Sequence, residues 1–334
     1  MRYFLFLASW LALLPMALAQ AQPTEASVRN SISLRVAELW EREDFAQLDR
    51  MATEYRTTKA RTPSGIWRLS VFNAALNQQV HSSRDDPEVW EYMEKKARKW
   101  TERFPDSPSA HLLYANALIL QGWHARGNSY ARAVQAQGVR VFREKHEAAR
   151  IYLERNKGVL RNDPRWYETM LEVATRLSWP EPRARALMEE GISREPEYWQ
   201  TYFLAAEFYS PQWGGSAEAL ERFTKWAADR IGGADGDALY TRIYWWSADR
   251  YFNGQFFEAK VDCARLMRGV DRLVQTYPDP WNINNFASFA VSCGDKPRAQ
   301  ALFRKIGDTP DLQAWGSAKN FASFRSWAFD PASR

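Results

Sequence analysis

The chain has 334 residues, with 45 Lys and Arg against 40 Asp and Glu and a formal charge of +5. The two signs are interspersed, as in Arg42-Glu43-Asp44 and Glu94-Lys95-Lys96, which suits a solvated helical surface and argues against a nucleic-acid-binding stripe. Gly and Pro number only 16 each, strand-like alternation is scarce, and apolar residues fall at helical spacing, so the composition points to helices.

The first segment reads as a secretory leader. Arg2 precedes an apolar run from Tyr3 to Leu18, interrupted by Pro15, and Ala17-Leu18-Ala19 places small residues where a signal peptidase must accommodate them. Cleavage is predicted after Ala19, and Gln20 in place of Cys argues against a lipid anchor. The competing reading is an uncleaved membrane anchor, but the run is short for a span and no second long apolar stretch follows. The expected product is periplasmic or secreted, with no stable membrane insertion. About 315 residues then remain, enough for two ordinary domains or one extended repeat array. We expect a flexible start over 20–30 and one helical domain over 31–330, irregular over 31–160 and more regular over 161–330.

Periodicity and breakers predict helices over 31–42, 44–56, 65–78, 86–103, 108–121, 132–156, 164–178, 182–193, 197–209, 216–230, 236–252, 256–276, 281–293, 297–306 and 312–327. Nine and ten positions after Pro105, Pro164 and Pro196 stand Tyr114-Ala115, Val173-Ala174 and Ala205-Ala206. A small residue is required there because helices packed about 8–10 Å apart leave no room for a bulky side chain at the crossing. Gly254 to Ala259 and Gly294 to Ala299 both fit a turn followed by a second helix. Asp163 to Thr169 is echoed by Glu195 to Thr201, each with Pro expected just inside a helix start. Asn285-Phe286-Ala287-Ser288-Phe289 recurs as Asn320-Phe321-Ala322-Ser323-Phe324, 35 positions on. That spacing is near the roughly 34-residue period of the tetratricopeptide helix pair. The fold class is therefore expected to be all-α: a tetratricopeptide-like α-solenoid of antiparallel pairs with a C-terminal capping helix.

Two places break the pattern: a long, charged helix between Gly122 and Arg161, and the loop Ser210 to Ser216, where Trp213 stands beside two glycines. Trp213 either plugs a hairpin end or touches a ligand. Arg61-Thr62-Pro63-Ser64-Gly65-Ile66-Trp67-Arg68-Leu69, Gly122-Trp123-His124-Ala125-Arg126-Gly127 and Pro211-Gln212-Trp213-Gly214-Gly215-Ser216 resemble the markers of a bacterial domain-of-unknown-function family with tetratricopeptide-like helices. The resemblance covers most of residues 30–305 and implies an exported, all-helical protein. It supplies no catalytic residues.

Cys263 lies 16 residues before Asp279 and Cys293 lies 14 after it, with the Tyr277-Pro278-Asp279-Pro280 turn between. Antiparallel helices joined there bring both thiols to nearly the same height, so an exported chain is expected to form the bridge; two buried free thiols are the alternative. The four histidines show no metal-ligand spacing, and no phosphate loop or nucleophile elbow is present, so no catalytic residue, metal or cofactor is assigned. His124, flanked by Trp123 and Arg126 in an expected turn, is either an ordinary packed histidine or a holder of an anion or peptide carboxylate. The candidate binding residues are Trp123, His124, Arg126, Trp213, Asn285 and Asn320. The first functional expectation is a non-catalytic module that holds an envelope peptide or protein. The second is an envelope enzyme or glycan-binding protein with its site near 122–161.

Overall fold

The computed structural model describes residues 23–81, 86–127, 135–254, 256 and 258–332; the predicted signal peptide lies outside them. Among the described residues the protein is all-helical. The helices are α1 (Glu25–Glu41), α2 (Phe45–Thr58), α3 (Arg68–Gln79), α4 (Pro87–Arg103), α5 (Pro108–Arg126), α6 (Ala136–Arg155), α7 (Lys157–Leu160), α8 (Pro164–Arg176) and α9 (Glu181–Arg194). They continue with α10 (Trp199–Phe208), α11 (Ala217–Ile231), α12 (Gly233–Phe252), α13 (Cys263–Thr276), α14 (Pro280–Ser292), α15 (Lys296–Ile306), α16 (Leu312–Trp315) and α17 (Ala318–Phe329). No described helix is long and apolar enough to cross a membrane.

The sharpest starts share one device. Asp86, Ser107, Asp163 and Asp279 accept a hydrogen bond from an amide of the first turn, and Pro follows each of them, where its missing N–H loses nothing. Glu195-Pro196 looks similar but starts no helix: α10 begins at Trp199, and Glu195 pairs with Lys59 at 2.6 Å instead of capping. Other boundaries also differ from expectation. Thr24 caps α1, so residues 25–30 are helical and not a flexible start. Gly122 to Arg126 continue α5, and the chain turns only at Gly127. α13 begins at Cys263, capped by Asp262, well after position 256. Gly316, in the left-handed region at φ +68°, divides the last predicted helix, and Ser317 caps the second piece.

Sequence neighbours pack on one another, as α4 on α5, α5 on α6, α8 on α9, α12 on α13 and α14 on α15. α8 also meets α10, and α10 meets α12. The large-then-small steps lie where this packing needs them: Ala115, Val173, Ala174, Ala205, Ala206, Phe286 and Ala287 are all fully buried. On α17 the step is only half kept, since Phe321 is buried while Ala322 is exposed. The Cys263–Cys293 disulfide is formed, with 5.6 Å between Cα atoms, and ties the start of α13 to the end of α14.

One connection departs from neighbour packing. Between α2 and α3 the chain makes a tight turn in which Gly65 N–H donates to Thr62 O at 2.8 Å, closed by an isolated bridge between Arg61 and Trp67. Pro63 and Gly65 suit such a turn, and Gly65 is needed twice over: its φ is +96°, and a Cβ would lie 2.7 Å from the Tyr277 ring. This turn reaches across the molecule to α10, α12 and α14. Trp67, fully buried, packs edge-on against Tyr198 at 5.3 Å, and Arg61 pairs with Glu197 at 2.8 Å. Farther along, Arg56 bridges to Asp163 at 2.6 Å, and Arg165 donates to Asn73 at 3.2 Å and to Asn77.

Candidate binding site

Two groups of side chains stand out, an internal clamp around Ser64 and a cluster at the end of α8. The first surrounds Ser64. Its carbonyl accepts from Arg242 and, at 3.2 Å, from Asn282 Nδ2, while its amide donates to Glu25 at 2.8 Å. Arg242 also donates to Asn282 Oδ1 at 3.3 Å, and the Glu25 amide donates to Asp279 at 3.1 Å. All five residues are buried. Desolvation pulls Arg242 down to about 9, against the opposing charge of Glu25. Trp199 and Trp245 rings at 4.8 and 4.9 Å flank its guanidinium.

The second group joins residues from two of the segments singled out in sequence. Trp123 and Trp213 meet edge to face at 6.1 Å. Between them stands Arg176, the last residue of α8, with its guanidinium 4.0 Å from the Trp213 ring and 5.2 Å from that of Trp123. Arg176 donates to Glu207 at 2.9 Å and has Glu172 at 3.9 Å. Arg126 lies over the Trp123 ring at 5.4 Å. Beneath Trp123, His146 is fully buried; its Nδ1 donates to the Phe142 carbonyl at 2.7 Å, which leaves Nε2 as the bare nitrogen. Burial, with Arg176 adding to it, pulls this imidazole down to about 4. Burial pushes the Glu207 carboxyl up, against the pull of Arg176.

His124 does not join them. One residue beyond Trp123 on a helix it faces elsewhere, its ring tilted against Trp90 at 4.8 Å in a pocket of about 280 Å³ lined by Pro87, Trp90, Glu91, Glu94 and Gln121. Burial opposes ionisation of Glu94, but hydrogen bonds from Gln121 and Arg98 outweigh it and hold its carboxyl below the usual range. Both carboxylates of this pocket are ion-paired, Glu91 with Lys95 and Glu94 with Arg98, at 2.9 Å each. Comparison with family models, curated proteins and solved structures returns no match.

The two asparagines of the repeated pentapeptide are engaged close to home in the chain. Asn285 is buried and donates to the Trp281 carbonyl at 2.8 Å; Asn320 is exposed and donates to the Trp315 carbonyl at 3.0 Å. Of the six sequence candidates, the structure therefore gathers Trp123, Arg126 and Trp213, and separates His124, Asn285 and Asn320. Sequence reasoning missed Arg176, Arg242 and Asn282. An Arg in the last turn of a helix is ordinary, since it offsets the negative end of the dipole, so nothing marked Arg176 in advance.

Proposed function

We propose that the chain is an exported, non-catalytic helical-repeat protein, periplasmic or secreted, that holds a peptide or protein of the cell envelope. Its helices are read as tetratricopeptide-like antiparallel pairs stacked into a solenoid, a reading supported by pairing of sequence neighbours and by the contacts from α8 to α10 to α12. The resemblance to the bacterial exported family supports the same assignment, and two of its three marker segments meet at Trp123 and Trp213. The disulfide suits an oxidising compartment.

The observation that carries the reading is the packing of successive helices, α8 on α10 and α10 on α12, as in repeat arrays that bind along an extended face. An enzyme near residues 122–161 would need a carboxylate pair with His124 and Trp123 in one pocket, and these two side chains face different neighbours. The test is an array of overlapping envelope-protein peptides on the immobilised mature chain, beside crosslinking in envelope extract. Saturable binding of peptides is expected. Capture of no peptide or protein, while a small envelope metabolite raises the melting temperature, would sink the reading.

A further inference from the structure

We propose that the Trp123–Arg176–Trp213 cluster is a carbohydrate site that takes a neutral sugar ring. The inference does not depend on the peptide reading. The Arg176 side chain is only 7% exposed, yet its Nε and Nη1 have no hydrogen-bond partner, and neither has the indole N–H of Trp213. Buried donors left unmatched are unfavourable and call for an acceptor. Helix-dipole compensation explains why α8 ends in a cation; it explains neither the bare N–H groups nor the indoles stacked around them.

The chemistry of the cluster narrows the ligand by elimination. An anion would meet Glu172 and Glu207, already ranged on Arg176. A cation would meet Arg176 itself, with Arg250 close enough to act on the Glu207 carboxyl. A purely apolar group would leave the guanidinium and indole donors bare. A sugar answers all three objections: its hydroxyls accept from Arg176 and Trp213, donate to the carboxylates, and its C–H face lies on an aromatic ring.

The test is calorimetric and tryptophan-fluorescence titration of the mature chain with oligomers of glucose, galactose and N-acetylglucosamine, beside oligogalacturonate and an acidic peptide. At least one neutral series is expected to bind saturably, and Trp213→Ala and Arg176→Lys are each expected to weaken it by roughly tenfold or more. Trp226→Ala, on α11 against Arg185, is the control and is expected to change nothing. Silence from all three neutral series, tighter binding of either anionic probe, or affinity unaltered by Trp213→Ala would each overturn the proposal. If Arg176→Lys fails to fold by circular dichroism, Trp213→Phe still decides it. That variant keeps a ring and loses the N–H, so an affinity between those of the parent and Trp213→Ala is expected; binding as weak as that of Trp213→Ala would overturn the stacking role.

Discussion

His146 illustrates how one buried side chain sets a pH response. Its folded-state pKa is lowered to about 4 from an ordinary 6.5, chiefly by burial. Between those values the unfolded chain binds the proton and the folded one does not, so stability is complete above 6.5 and is lost as the pH falls toward 4. The difference amounts to roughly 3 kcal/mol. Urea titrations at pH 7 and pH 4.5 are expected to show a smaller drop in His146→Gln than in the parent; an equal drop would mean that other groups carry the acid response. The residue was recognisable as buried: Phe142, His146, Ala149 and Leu153 fall on one helical stripe, and all are buried. Its proximity to Arg176 was not, because that neighbour comes from another helix.

At the scale of elements, packing distance decides which glycines are needed. Gly269 of α13 lies against α12 so closely that a Cβ would come within 2.0 Å of the Asp237 carbonyl oxygen and 2.2 Å of Thr241 Oγ1. Thr241 bridges the same crossing by donating to Leu266 O at 2.8 Å. Gly269→Ala therefore has to push two helices apart and is expected to destabilise by about 1–3 kcal/mol. At Gly158, in α7, an added methyl would meet nothing within 4 Å, and Gly158→Ala is expected to be neutral or to stabilise by up to about 1 kcal/mol. Opposite signs in chemical denaturation check the pair. Helix starts of this protein were legible because a capping Asp or Ser before Pro is a local signal. Gly65 to Trp67 were misread as helix because tertiary contacts with Tyr198 and Tyr277, and not local preference, hold that turn.

For the whole molecule, the consequential feature is the turn between α2 and α3 that reaches α10, α12 and α14. Its contacts join residues 136 apart at Lys59 and Glu195 and 218 apart at Ser64 and Asn282. Trp67 is its buried anchor, and Trp67→Ala is expected to cost about 3–5 kcal/mol. Hydrogen exchange is expected to rise together in α1–α3 and in the facing ends of α10 and α14. A rise confined to α3 would show that the turn is not what joins these regions.

The sequence by itself determined the helices, most of their starts, the small residues at their crossings and the pairing of Cys263 with Cys293, because caps, periodicity and helical rise act over short stretches of chain. It also marked Trp123 and Trp213 separately. Only the tertiary structure decided that these two indoles enclose Arg176, that His124 lies against Trp90 instead, and that Ser64 is held by Arg242 and Asn282. Those meetings depend on how helices far apart in sequence are placed in space, and no local preference of the chain encodes them.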